Sequence, residues 1–542
     1  VSNDSSIIAA AYMKWGEKCP LFIIGDYVFV IWDMKTCSLF CARDHIGARP
    51  FFYYEDDSVF IFSSEIKGLF ASDAIKLSIR KEWIADTIAT LISENTKTFY
   101  EDIQRLPPAH TITVNQDSTV KKKYWDLNPD KEILYQCEQD YFDHFSEVLN
   151  ESVKCRTQST FPVASELSGG LDSSLVTAYA FDNLPNSKDR LFALSHVLPD
   201  DSLDKVYPFK DERYYSHLLC LYKGIKNHLF VTSESKGVLN EMKNTIRLLD
   251  GIPQQRLELF SDDLYKKAHE AGCRTLLSGF GGDQLVSYSG AGYFEELAHH
   301  WKYRQIWTEL KKKKLFYKTK KTIALLTREL LPFIYRMHHD DNEWATERFL
   351  NILIHHYFSA EMNLARRYKD KAGFPTEKSL KLRQYKRITH PHIQGRLESC
   401  SIIAKHYGLE YAYPLLDRRL MELYFSFPAA IKFRNGLGRF PARMAAERII
   451  PEEIQWRQEK TGATIPTVQL RFLNDLDNIY NFIDNNNFNE IEQYVDIQKF
   501  RDYIKLMIHR NAGQQKKANP AIFFNALAVL VYQKMMHDEF SK

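Results

Sequence analysis

Seven residues constrain this chain more than any others: Ser168-Gly169-Gly170-Leu171-Asp172-Ser173-Ser174. They follow an apolar, strand-like run, Val163–Leu167, and lead into a helical pattern over Ser174–Phe181. A strand that breaks on two glycines into a helix leaves the first N–H groups of that helix open to a ligand. The hydroxyls of Ser168, Ser173 and Ser174 add donors beside them. This is an anion cradle suited to phosphate. It is not a Walker loop, because no lysine follows the glycines and the G-x-x-x-x-G-K-[ST] spacing is missing. Asp172 inside the cradle would repel bare phosphate, so it reads as a ligand for Mg²⁺ carried on a polyphosphate.

The flanking pattern gives the loop its setting. Strand-like runs at Leu191–Val197, His228–Val231 and Thr275–Ser278 alternate with amphipathic helical stretches, which predicts a parallel sheet in an α/β layer. Residues 1–130 read differently. Leu21–Ile24, Tyr27–Trp32, Ser38–Ala42, Pro50–Tyr54 and Val59–Ser63 are short aromatic and branched runs, joined by His110–Val114 after Pro107-Pro108. That spacing predicts an antiparallel sheet or sandwich. Beyond residue 290 the periodicity is mostly helical, and the lysine cluster Lys311–Lys314 with Lys318, Lys320 and Lys321 reads as a solvated helix face. The expected fold is therefore α/β plus β, with domains at 1–130 and 131–542.

Composition removes several function classes. Among 542 residues, 72 basic less 69 acidic side chains gives +3, too little basic excess for nucleic acid as the main partner. Apolar residues at 44% and charged residues at 26% exclude a disordered chain. The eight cysteines contain no C-x-x-C, so neither a zinc ribbon nor a thioredoxin-type site is supported, and reduced thiols of a cytoplasmic protein are expected. No apolar run reaches the ~18–20 residues of a membrane span. The nearest, Ala521–Tyr532, is broken by Asn525, and the polar start Val1-Ser-Asn-Asp lacks a signal-peptide pattern.

Asp283 ends a glycine turn, Ser278-Gly279-Phe280-Gly281-Gly282-Asp283, after the strand at Thr275–Ser278. Ligands of open α/β sheets sit outside the carboxyl ends of strands, so Asp172 and Asp283 could converge on one Mg²⁺. The glycine loop resembles the pyrophosphate-binding loop of the ATP pyrophosphatase fold, in which ATP is cleaved between its α and β phosphates. Over essentially its whole length the chain is similar to asparagine synthetase-like, ATP-dependent amide ligases. Gly25–Asp33, Ala42-Arg43-Asp44, Gly47-Ala48-Arg49-Pro50 and Ser63–Lys67 resemble that family's class II glutamine amidotransferase domain. Ser278–Asp283, Tyr413-Pro414-Leu415-Leu416-Asp417 and Arg457–Gly462 follow in the family's order. The resemblance implies ATP and Mg²⁺ as cofactors, with Ser168, Gly169, Gly170, Asp172, Ser173, Ser174 and Gly279 at the nucleotide. It implies Ser195, beside His196, at the adenine, and Lys460 as the catalytic lysine.

The sequence departs from its relatives at two places. Phe280 stands where asparagine synthetases carry Glu and β-lactam synthetases carry Tyr, and it cannot accept a proton. Glu398, nineteen residues before Asp417, sits where the β-lactam synthetases place a partner Glu, which makes it the candidate base. Glu410, in a Glu-x-x-x-Pro pattern, reads as architecture. Val1 is not the family's nucleophilic N-terminal Cys, so the first domain reads as truncated and non-catalytic. Among the relatives, lasso peptide cyclases match these departures best. They imply an Asp or Glu side chain activated as an acyl-adenylate, attacked by the peptide's own amine, with a precursor peptide, a leader-binding protein and a leader peptidase as partners. The alternatives are a glutamine-hydrolysing asparagine synthetase paralogue, a β-lactam synthetase-like enzyme, and an ATP-binding sensor without turnover.

Overall fold

The computed structural model of the chain describes residues 3–92, 94–200, 211–233, 237–253, 261–311, 313–332, 353–371, 377, 379–459, 465–486, 488, 493–509 and 520–540. Helix α1 (Asp4–Trp15) precedes seven strands: β1 (Val28–Asp33), β2 (Ser38–Arg43), β3 (Phe52–Glu55), β4 (Phe60–Ser63), β5 (Gln104–Arg105), β6 (His110–Val114) and β7 (Thr119–Lys123). They form two antiparallel sheets, β1-β2-β6-β7 and β4-β3-β5. Period-two alternation sorts the apolar residues between layers. Val28, Val30, Leu39, Cys41 and Ile112 turn inward against Phe51, Tyr53 and Phe60. Phe29, Ile31, Phe40 and Ala42, on the other face, pack against Ala11 and Tyr12 of α1.

The second half is built on five parallel strands: β8 (Val163–Glu166), β9 (Leu191–His196), β10 (Asn227–Val231), β11 (Thr275–Leu277) and β12 (Glu410–Ala412), in the order β10-β9-β8-β11-β12. Four helices matter below: α2 (Leu171–Asn183), α3 (Pro391–His406), α4 (Phe440–Ala445) and α5 (Pro520–Phe540). From β8 the chain builds outward first through β9 and β10, then on the other side through β11 and β12. The carboxyl ends of β8 and β11 therefore flank the crevice where strand order reverses, the usual ligand position in such sheets. The sandwich docks on this half through one apolar cluster shared by Phe52, Ile66, Trp83 and the α5 residues Leu527 and Leu530.

Three local readings need correction. Leu21–Ile24 is not a strand: a 3₁₀ turn over Gly16–Leu21 contains Pro20, and Phe22 and Ile24 are exposed. Three strands carried too little apolar signal to be anticipated: β5 is two residues long, β7 is a lysine-bearing edge protected by charge, and β12 is three residues long. Helix α2 begins at Leu171, three residues earlier than expected, so Asp172, Ser173 and Ser174 lie in its first turn. Among the described residues no helix is long and apolar enough to cross a membrane, and Phe523–Tyr532 is buried within α5.

Candidate active site

The loop after β8 and the turn after β11 interlock. A Cβ on Gly279 would stand 2.6 Å from the Ser173 nitrogen, and one on Gly282 would stand 2.3 Å from the Asp172 carboxyl carbon. Only glycine permits that approach, so Gly279 and Gly282 are explained by the contact of their turn with the cradle, whereas Gly169, at φ 76°, is closed in by Tyr215, Ser216 and the Glu212 carbonyl. Within the first loop, Ser173 Oγ accepts from the Ser168 N–H at 3.1 Å and lies 3.1 Å from Ser168 Oγ, holding the turn into the helix. Gly170 caps α2 with extended backbone. The N–H groups and the positive end of α2 thus face the crevice, with Asp172 at their centre.

A cavity of about 530 Å³ opens here. It is within the ~300–1,000 Å³ range of small-molecule sites. Ser168, Gly170, Asp172, Ser173, Ser195, Gly279 and Asp283, all singled out in the sequence, line it together. Gly169 does not, although its carbonyl accepts from Arg457 at 3.5 Å. Ser174 is corrected: its side chain is fully buried beneath the cradle rather than facing the cavity. Ser195 Oγ donates to the Leu167 carbonyl at 2.6 Å and lies 2.9 Å from His228 Nε2, so its hydroxyl is committed to the sheet. His196 lines the cavity with Nδ1 buried, and burial lowers its pKa to about 4, keeping the ring neutral at neutral pH. Lys460 lies outside the described residues.

The cavity also holds arginines that sequence reasoning missed. Arg439, just before α4 and in the left-handed region at φ 62°, ion-pairs with Asp283 and stands 3.8 Å from Asp172 Oδ2. Arg457 pairs with Glu212 and stacks over the Tyr215 ring at 3.8 Å. Arg443 donates to the carbonyls of Gln455 and Arg457, holding that segment against the cradle. Arg396 of α3 lies over the Phe280 ring at 4.3 Å. Guanidinium groups around a helix N-terminus are the expected lining for a polyphosphate. A weak signal was available: Arg439 and Arg443 are one helical turn apart, and Arg457 opens a segment already singled out.

The donor set suits Mg²⁺. That ion is usually held by one or two carboxylates together with substrate phosphates and water, and two carboxylates on interlocked loops supply the protein's share. Among the described residues no group of three or more acidic, His or Cys side chains forms a self-sufficient metal cage.

Glu398 needs a larger correction. On α3, Arg396 and Cys400 face the cavity, whereas Gln394 and Glu398, one turn apart, face the opposite way. There Glu398 is clamped by Arg43 at 2.8 Å and Arg105 at 3.2 Å and accepts from Gln394 at 3.0 Å. Burial alone would raise its pKa, but Arg105 and Arg43 outweigh that and hold it below the ordinary glutamate value. A carboxylate stabilised this strongly as an anion, and turned away from the cavity, is not placed to take a proton there. Asp417 is likewise structural: it caps the helix Arg418–Ser426 and pairs with Arg156 at 2.7 Å. Glu410 on β12 pairs with Arg49 of the sandwich.

The family model described as Asparagine synthase matches residues 144–530, and the one described as Glutamine amidotransferase domain matches residues 1–125. The chain belongs to the asparagine synthase family. Similar proteins include asparagine synthetase [glutamine-hydrolyzing] 3 of Bacillus subtilis, 32% identical over 184 residues, which is 33% of this chain and 29% of that protein. A putative asparagine synthetase [glutamine-hydrolyzing] 2 of Methanocaldococcus jannaschii is 33% identical over 196 residues, 35% of this chain and 38% of that protein. Asparagine synthetase [glutamine-hydrolyzing] 1 of B. subtilis is 25% identical over 476 residues, 86% of this chain and 71% of that protein. The match therefore spans about a third of the length of the first two relatives.

Proposed function

We propose that the chain is an ATP-dependent amide ligase that activates a carboxylate as its acyl-adenylate, releases pyrophosphate, and passes the acyl group to an amine. The observation that carries this reading is the interlocking of the Ser168–Ser174 cradle with the Gly279–Asp283 turn at the strand-order switch, ringed by Arg439, Arg443 and Arg457. The cradle N–H groups and Ser173 would bind the leaving pyrophosphate, and the arginines would balance its charge. Asp172 and Asp283 would hold Mg²⁺, which neutralises polyphosphate charge when bound. Arg439 would then exchange its carboxylate partners for phosphate oxygens. Lys460 keeps the role that resemblance gives it, stabilising charge on the α-phosphate. Holding both reactants in one cavity supplies much of the acceleration.

The finer proposal is intramolecular closure of the lasso peptide kind, in a cytoplasmic setting. A precursor peptide supplies both carboxylate and amine, after a leader-binding protein and a leader peptidase have acted. Phe280 supports it, because an aromatic wall suits a peptide better than it suits ammonia. The names of the relatives favour a second reading, a glutamine-hydrolysing asparagine synthetase paralogue. One experiment separates them. Incubation with ATP and Mg²⁺ should give AMP and pyrophosphate with a short synthetic peptide bearing a free amino terminus and one internal glutamate, and the peptide should lose the mass of one water. Conversion of glutamine to glutamate, coupled to aspartate-dependent AMP formation, would instead establish the second reading.

A further inference from the structure

With Glu398 turned away, the cavity still needs a group to take the proton of the incoming amine. Among the described residues five carboxylates line it: Glu166, Asp172, Glu212, Asp283 and Glu459. Asp172 and Asp283 share Arg439, and Glu212 is paired with Arg457. A carboxylate beside a guanidinium is a poor proton acceptor, because the cation favours its charged form. Glu459 is solvent-exposed. Glu166 differs from all four. It is the last residue of β8, two positions before the cradle, and its Oε2 accepts from Ser278 Oγ at 2.6 Å.

The sheet register explains why Glu166 faces the chemistry. Ala164 pairs with Leu276, and Leu276 with Tyr411, so by period-two alternation Glu166, Ser278 and Tyr411 share one face at the carboxyl end of the sheet. Ser165, one residue earlier, turns to the other face and bonds to Thr177 of α2 at 2.8 Å. Ser278 Oγ, which donates to Glu166, also accepts from the Phe280 N–H at 3.2 Å, so the carboxylate is tied to the turn that carries Asp283. Phe280, Tyr265 and Tyr411 line the same cavity, and Tyr411 is fully buried, giving this end an aromatic wall on which, among the described residues, Glu166 is the carboxylate and Arg396, over the Phe280 ring, the cation.

We infer that Glu166 is the general base for the amine half-reaction. This role rests on the ligase reading. The amine arrives as an ammonium ion, and Glu166 takes one N–H proton, freeing the nitrogen lone pair. That pair forms the C–N bond at the acyl carbon, and the C–O bond to the α-phosphate breaks with its electrons leaving on AMP. The second N–H proton departs to solvent. Acyl-adenylate and ammonium thus become amide, AMP and two protons.

The test is E166Q, which keeps side-chain size and a hydrogen bond to Ser278. Probes are ATP and Mg²⁺ with L-aspartate, L-glutamate or the glutamate-bearing peptide as carboxylate, and methylammonium or hydroxylamine as nucleophile. Exchange of labelled pyrophosphate into ATP should stay within about twofold of the parent chain, while amide formed with methylammonium falls about 10²–10⁴-fold. Hydroxamate formation should persist, because hydroxylamine is already neutral at the assay pH and needs no base. Unchanged amide formation overturns the role. Equal loss with both nucleophiles also overturns it, since a merely structural residue would slow both. A parent chain that exchanges no pyrophosphate with any probe carboxylate overturns the ligase reading itself, and the role of Glu166 with it.

Discussion

At the seam between sandwich and parallel sheet, Arg43 and Arg105 close on Glu398; at the cavity, Arg439 closes on Asp172 and Asp283. The ingredients are the same and the surroundings are not. The seam side chains are 0%, 7% and 5% exposed, whereas Arg439, Asp172 and Asp283 are 29%, 14% and 48% exposed. Where water is excluded, each charge depends on its partner, and removing one strands the others. Where water competes, the pairing is worth little and a ligand can replace it. Burial, rather than residue type, separates a structural charge cluster from one that can exchange partners.

Three measurements can break or sharpen this contrast. The largest effect is expected for E398A, which leaves two buried guanidinium groups uncompensated. Urea denaturation should show a loss of about 3–5 kcal/mol. A loss below about 1 kcal/mol would place the seam with the surface pairs. D283N should do the reverse. Its stability should stay within about 1 kcal/mol of the parent chain, while pyrophosphate exchange falls about 10²-fold or more. A large drop in stability with exchange intact would collapse the distinction. His196 supplies the intermediate case, a buried group with no carboxylate clamp. Because its folded pKa is depressed to about 4, its contribution is fully present above the ordinary histidine value and is lost as pH falls through about 4. The fall in unfolding free energy between about pH 6.5 and 4 should be shallower in H196N, by on the order of 2–3 kcal/mol. An unaltered slope would show that burial does not suppress protonation at this position.

The glycine cradle and the Gly279–Asp283 turn were legible in the sequence because their chemistry is local. Strand, glycine, acid and helix follow one another within a few residues, and each constrains the next. The long strands were legible for the same reason. The environment of Glu398 was not, because it is set by Arg43 and Arg105, which lie far upstream in the first domain. Helical spacing could have shown that Gln394 and Glu398 share one face and Arg396 and Cys400 another, but not which face meets the cavity. Arg439 was missed because its partners lie far upstream, and its spacing from Arg443, one helical turn on, is too weak a pattern to point to them. Glu166 was overlooked beside a louder motif, since a single charged residue at the end of an apolar strand reads as its boundary.

Helix α3 carries a consequence for the sandwich. One side of it looks into the cavity through Arg396 and Cys400; the other holds Glu398 against two arginines that belong to the first domain. The sandwich is thus the built-in counter-ion of the parallel-sheet half. Were the two halves parted, the buried Glu398 would be stranded without the charges that now balance it.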